Sequence, residues 1–314
     1  MVNGLLLADK PQGITSHDVV ARTRRALGTK KVGHAGTLDP MATGLLILGA
    51  GPSTRLLTHL VGLDKEYLAT IRLGQATTTD DAEGEALPGT GLVAALRASA
   101  TGDLASEIAD GISALTGEIL QRPSSVSAIK VDGKRAYDLV RAGEDVELAA
   151  RKVTVSAFEV TDRRSVADGA GRAFIDLDVR IECSSGTYIR ALARDLGEAL
   201  GVGGHLTALR RSRIGPFRID EALAVPAFGE PYLGELLEPA EVAARLFPVI
   251  ALTDTQAADL ANGKRVAVDR PDAPAAAAVA PDGRLVGLVG VENGRTRVIT
   301  NFPTDGSTPR GSER

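Results

Sequence analysis

"AFIDLDVRIECSSGTYIRALARDLGEALG", residues 173–201, changes its period half-way along. Ile175, Leu177, Val179, Ile181 and Cys183 alternate with Asp176, Asp178, Arg180 and Glu182, the period of two of a strand with one apolar face. Beyond the Ser-Ser-Gly-Thr corner, Ile189, Leu192, Leu196 and Leu200 recur at helical spacing, and Gly201 supplies a stop. A half-buried strand leading into an amphipathic helix predicts a mixed α/β (α+β) chain with helices flanking a sheet. The corner also breaks a rule. Arg190 falls in the first helical turn, where a cation opposes the helix dipole at roughly 0.3–1 kcal/mol. Either its side chain points to solvent, or it meets a carboxylate or phosphate. A guanidinium beside a carboxylate keeps that acid ionised near neutral pH, which suits a nucleophile or general base.

Other segments extend the pattern. "GLLLADKPQG" (4–13) predicts a short apolar strand and a turn, and the helix that follows has Val19, Val20, Thr23 and Leu27 on one face, with Ser16 as its cap and Gly28 as its stop. "GLLILGAG" (44–51) reads as a buried strand. "EYLATIRLG" (66–74) alternates, with Tyr67, Ala69, Ile71 and Leu73 on one face. "TTTDDAEGEALPGTG" (77–91) lacks calcium-loop spacing and reads as a solvated turn, and residues 92–117 are helical in character. Residues 121–147 read as a loop-helix insertion, and a long loop of this kind is often functional. Prolines punctuate 222–247, "TDTQAADLANG" (253–263) predicts a short helix, and Pro-Asp-Gly and Glu-Asn-Gly turns join short strands up to 302.

Composition bounds the function. The 314 residues are 44% hydrophobic and 24% charged, near the average for globular chains. No apolar run approaches the roughly 18 residues that cross a bilayer, and "GLLLADK" is short for a signal-peptide core, so the expectation is a cytoplasmic protein with no membrane partner. Cys183 is the single cysteine and the histidines at 17, 34, 59 and 205 lack metal-ligand spacing, so no metal is expected. The net charge of −4 hides segregation. Residues 21–31 hold five basic side chains and no acid, 205–218 hold four arginines and no acid, and 122–135 hold four basic residues against one aspartate. Such strips suit a phosphate backbone, or are ordinary solvated faces.

"VGHAGTLDPMATG" (32–44) places one acid, Asp39, directly before Pro40 among three glycines. One reading is an N-cap followed by a good first helical residue. The other is an acid held for chemistry, since Pro40 restricts Asp39 to extended angles and the glycines admit a ligand closely.

These residues resemble a known family. "GHAGTLDPMATGLLILG" (33–49) is similar to the signature of the TruB-type tRNA pseudouridine-55 synthases, and the resemblance continues through "DKPQGITS" (9–16), "KEYLATIRLGQATTTDDAEG" (65–84), "RPSSVSAIKVDGKRAY" (122–137) and "CSSGTYIRALARDLGEALG" (183–201). It implies a pseudouridine-synthase-like fold: a largely antiparallel sheet with flanking helices in a catalytic domain at 1–224, a thumb-like insertion at 122–147 and a small C-terminal PUA-like β-rich domain at 248–302; the proline punctuation itself reads as a connection at 225–247 and the polar composition as a disordered tail at 303–314. It implies that Asp39 is the nucleophile and Arg190 its partner, that Tyr67 stacks on the target base and assists proton removal from C5, and that His34 fills the space beside the extruded base. Tyr188 would lie near the acid and Leu209 would line the pocket. Lys130, Arg210 and Arg211, from the basic strips, would bind the RNA. The implied substrate is the T stem-loop of tRNA, met by a monomer without cofactor, metal or guide RNA. Asp39 could attack C1′ or C6, or remove the 2′ hydrogen. An RNA-binding protein or RNA chaperone of the same fold with little catalysis is the alternative.

Overall fold

The computed structural model describes residues 2–88, 104–124, 130–131, 134–135, 149–225 and 234–302. In chain order the strands are β1 (Gly4–Lys10), β2 (Val32–Ala35), β3 (Thr43–Ala50), β4 (Lys65–Leu73), β5 (Gly117–Gln121), β6 (Lys130–Val131), β7 (Lys134–Arg135) and β8 (Arg151–Ala167). They continue with β9 (Ala173–Cys183), β10 (Gly204–Ile214), β11 (Phe217–Arg218), β12 (Leu223–Ala224), β13 (Val249–Ala251), β14 (Ala273–Val279), β15 (Leu285–Glu292) and β16 (Arg295–Asn301). The helices are α1 (Ser16–Ala26), α2 (Leu57–Val61), α3 (Leu104–Ala114), α4 (Ile189–Ala199), α5 (Pro239–Leu246) and α6 (Asp254–Ala261). The chain divides into two compact units, one made of Met1–Asp39, Leu45–Val61 and Pro216–Arg314, the other of Pro40–Gly44 and Gly62–Gly215.

The first unit holds the strand run β12-β1-β3, with β2 antiparallel on β3 from Val32↔Ala50 to Ala35↔Ile47. Helix α1 covers this run. Its Val19 and Val20 are buried with Leu6, Ala8, Val32, Leu46, Leu48 and Ala50, and each leucine or valine side chain among them taken from water contributes about 1.5–3 kcal/mol. The expected Ser16 cap is corrected by one residue. Thr15 is the N-cap: its Oγ1 accepts from the Asp18 N–H at 3.1 Å, and the Asp18 carboxylate accepts from the Thr15 N–H at 2.8 Å. A hydroxyl followed three residues later by an acid satisfies two otherwise orphaned amides reciprocally.

A separate small sheet, β13-β14-β15-β16, lies towards the C-terminus, antiparallel except for the β13–β14 pair. Ile250, Leu260, Val286 and Val289 fill its core together with the small side chains of Ala276 and Ala278. Asn293 and Gly294 both have positive φ, 53° and 69°, as the tight turn joining β15 to β16 requires. Helix α5 forms inside the stretch read as a connection, with Pro239 at its first helical turn.

The second unit is built on antiparallel ladders joining β10, β4, β9, β8 and β5 in that order. Thr43 and Gly44 pair in parallel with Arg210 and Arg211 of β10. Gly44 has φ of 102°, and a Cβ there would stand 2.3 Å from the Arg211 carbonyl oxygen, so only glycine permits that approach. The alternating strand behaves as its period demands. Ile175, Leu177, Val179, Ile181 and Cys183 are buried, whereas on the other face Arg72 grips Asp176 through Nε and Nη2 at 2.7 and 2.8 Å, and Arg180 meets Glu66 and Glu159 at 2.9 and 2.8 Å. Helix α4 buries Ile189, Ala191, Leu192, Ala193 and Leu196. Its Gly197 lies against the start of β10, where a Cβ would come within 2.1 Å of the Gly204 nitrogen.

No helix among the described residues is long and apolar enough to cross a membrane.

Candidate active site

Asp39 caps no helix. It lies in the loop between β2, which ends at Ala35, and β3, which begins at Thr43; Pro40 and Met41 form a turn and no helical element intervenes. The capping reading therefore falls. Asp39 is half-buried, and the residue before it, Leu38, is 4% exposed. His34, on β2, is half-buried and meets the exposed His17 ring edge-on at a centroid distance of 5.9 Å. These groups belong to the first unit.

The second unit carries the remaining site residues whose side chains are described. Tyr67 lies on β4 in register with Ile181 of β9 and Arg211 of β10, and is 8% exposed. Leu209 faces Ala69 in the same ladder and is 7% exposed. Arg210 is half-buried, and its Nη1 donates to the Thr43 hydroxyl at 3.4 Å. Arg211, expected on the RNA face, is 1% exposed, and a guanidinium so deep meets protein groups before it meets a phosphate. Lys130 opens β6 and pairs with Arg135; its side chain lies outside the described residues, as does most of the insertion at 122–147.

Arg190 is 4% exposed at the start of α4. Its Nη1 donates to the Thr79 carbonyl at 2.8 Å, and its Nε stands 3.6 Å from the Asp81 carboxylate. The expectation that residues 77–91 form a solvated turn is corrected over its first part, and 89–91 lie outside the described residues. Thr77 and Asp81 are 6% and 4% exposed. The Asp81 carboxylate accepts from the Thr79 hydroxyl at 2.6 Å and the Glu83 amide at 3.0 Å, and the Thr77 hydroxyl donates to the Asp81 carbonyl at 2.7 Å. Arg194, one turn further along α4, reaches Asp80 at 3.2 Å. Thr and Asp crowd together here because they satisfy the buried guanidinium of Arg190 and the half-buried one of Arg194.

Sequence reasoning also missed Gln121 and Lys65. The Gln121 side chain, 1% exposed, donates to the Tyr188 carbonyl at 3.0 Å and accepts from the Tyr188 amide at 2.8 Å. One amide thus fixes the half-buried Tyr188 at the N-cap of α4, and no local sequence signal points to it. Lys65 is 5% exposed; burial, then the neighbouring Arg211 guanidinium, pushes its ammonium down to about 8. Burial drives the Cys183 thiol, opposite Lys65 across the β4–β9 ladder, up to about 11, which leaves it an inert core group at neutral pH. Among the described residues, no group of three or more His, Cys, Asp or Glu side chains is placed to hold a metal ion.

The site residues sit within a chain that known families cover almost from end to end. The model of the TruB family pseudouridylate synthase N-terminal domain matches residues 24–189. The tRNA pseudouridine synthase B of Leifsonia xyli subsp. xyli (strain CTCB07) is 58% identical over 306 residues, spanning 96% of this chain and 97% of that protein. The chain belongs to the TruB family. Two further family models, the tRNA pseudouridylate synthase B C-terminal domain and the tRNA pseudouridine synthase II C terminal, match residues 190–244 and 247–303. The tRNA pseudouridine synthase B of Arthrobacter sp. (strain FB24) is 52% identical over 317 residues, covering 98% of this chain and 99% of that one. Among solved structures, a chain of a Cbf5-Nop10-Gar1 complex superposes with a TM-score of 0.64 at 25% identity, over 96% of this chain and 85% of the other. A chain of an H/ACA RNP bound to a substrate RNA containing 2'-deoxyuridine superposes with a TM-score of 0.63 at 23% identity, covering 96% of this chain and 85% of that one, which is a likeness of fold.

Proposed function

We propose that this TruB-family chain converts the uridine at position 55, in the T loop of tRNA, to pseudouridine, with Asp39 as the nucleophile. The observation that carries the reading is the setting of Asp39: a single acid, half-buried, in a loop that starts no helix, and followed by proline. The names of relatives more than half identical to the chain point the same way. The reaction is an isomerisation. The bond from N1 to C1′ breaks, the base turns, C5 bonds to C1′, the hydrogen on C5 leaves as a proton, and N1 takes up a proton in its place. Nothing is gained or lost overall, and the family resemblance implies that the chain acts without cofactor, metal or guide RNA.

Arg190 is proposed as the cation serving Asp39, held by Asp81 and the Thr79 carbonyl. Tyr67 stacks on the everted base and takes part in removing the C5 proton, while His34 occupies the space the base leaves. Tyr188 and Leu209 line the pocket. Flipping a stacked base costs a few kcal/mol, and stacking on one aromatic returns roughly 1–3 kcal/mol. Affinity therefore comes mainly from basic side chains on the RNA backbone, with Lys130 and Arg210 among them. The catalytic domain spans 1–224, the insertion at 122–147 closes over the T loop, and the small β domain at 248–302 adds RNA-binding surface. The chain acts as a monomer.

The experiment is tritium release from tRNA carrying 5-tritiated uridine. Wild type should release tritium, and Asp39→Asn should be at least about a thousandfold slower, roughly 4 kcal/mol of barrier. Equal release by both proteins would remove Asp39 from the mechanism.

A further inference from the structure

The Ser16 hydroxyl fastens the loop that carries Asp39. Ser16, the first residue of α1, is 2% exposed. Its Oγ donates to the Leu38 carbonyl at 3.0 Å and accepts from the Leu38 amide at 2.8 Å. A residue in a β ladder meets both needs through a neighbouring strand. Leu38 lies in no strand, and the serine hydroxyl takes the partner's place. Ser16 is available because the capping role belongs to Thr15.

The consequence for Asp39 follows from peptide planarity. The Leu38 carbonyl lies in the same rigid plane as the Asp39 nitrogen, so holding that oxygen sets the plane from which Asp39 departs. On the other side, Pro40 confines Asp39 to extended angles. The hydroxyl is itself carried by a fixed body: Val19 and Val20 of α1 are buried in the first unit's core, and Arg24 donates to the Val32 carbonyl at 2.9 Å. We propose that Ser16 is a positioning residue, which sets the pose of the Asp39 carboxylate by clasping both backbone polar groups of Leu38. The proposal rests on the reading of Asp39 as the nucleophile. A reacting group displaced by about an ångström loses up to about a hundredfold in rate while ground-state binding survives, so the clasp acts on kcat rather than affinity.

The test combines exchange and kinetics on the full chain. In the wild type, the Leu38 amide should exchange at least about tenfold more slowly than the amide of the exposed Thr37; equal exchange of the two would overturn the clasp without any variant. Ser16→Ala should release that protection while the α1 amides keep theirs. It should slow single-turnover tritium release by about thirtyfold, with the dissociation constant for tRNA within twofold of wild type. Ser16→Thr, which keeps the hydroxyl, should recover most of the rate. A Ser16→Ala protein that turns over like wild type, or whose loss of rate follows a loss of tRNA affinity, contradicts the proposal. So does Ser16→Thr as slow as Ser16→Ala. Asp39→Asn separates the two readings. If it remains active, the nucleophile reading fails; if it is inactive while Ser16→Ala is unimpaired, only the clasp fails.

Discussion

Arg190 stands at the end of α4 where the helix dipole disfavours a cation, and the fold answers with Asp81 and the Thr79 carbonyl. Both partners of the ion pair are nearly out of reach of water, with side chains 4% and 6% exposed. Removing one member of such a pair strands the other, which costs about 3–5 kcal/mol. Asp81→Ala should lower the unfolding free energy by about that amount in urea titration and should slow turnover more than tRNA binding; a change under about 1 kcal/mol would show that Arg190 draws its support elsewhere. Lys65 gives a pH signature. Its folded value, about 8, lies below the ordinary 10.5, so in that window the unfolded chain holds a proton that the folded chain has released. Stability from this group is therefore lowest below pH 8 and rises with pH towards 10.5, by up to about 3 kcal/mol. Denaturation midpoints measured across that window should rise more steeply for wild type than for Lys65→Met, and parallel curves would contradict the assignment.

The strand-to-helix passage at 173–201 is legible because both faces of β9 and the inner face of α4 are written in local spacing. The same holds for β1, β3, β4 and α6. What is illegible has a common cause, which is long-range satisfaction of polar groups. Thr79, Asp80 and Asp81 have the composition of a surface turn, and their partners Arg190, Arg194 and Leu206 lie more than a hundred residues away. Gln121 reaches Tyr188 in the same manner. The misplaced cap of α1 is different. Thr15 and Ser16 are both good caps, and the acid three residues after Thr15 was the available signal for choosing between them. At the β3–β10 junction, the positive φ of Gly44 and its 2.3 Å approach to the Arg211 carbonyl make one methyl group expensive. Gly44→Ala should destabilise the fold by about 2 kcal/mol or more, counting the left-handed backbone and the displaced strand. A melting temperature unchanged from wild type would mean that the junction yields.

Although the whole chain carries a net charge of −4, its basic residues collect in strips, and RNA affinity should follow the strips rather than the sum. If about four phosphates are met, tRNA binding should weaken roughly fiftyfold between about 50 and 200 mM salt. Arg210→Ala should reduce the slope of the log–log plot by about one if that side chain reaches a phosphate. A slope near zero would show that affinity is not electrostatic. Family models match the chain from residue 24 through the small sheet at β13–β16. The direct measurement is to incubate an unmodified tRNA transcript with the purified chain in the presence of a chelator and map pseudouridine at every position. The expected result is conversion at one uridine, position 55 of the T loop, reaching one modification per tRNA. An unmodified transcript, or pseudouridine formed only outside the T loop, would contradict the account.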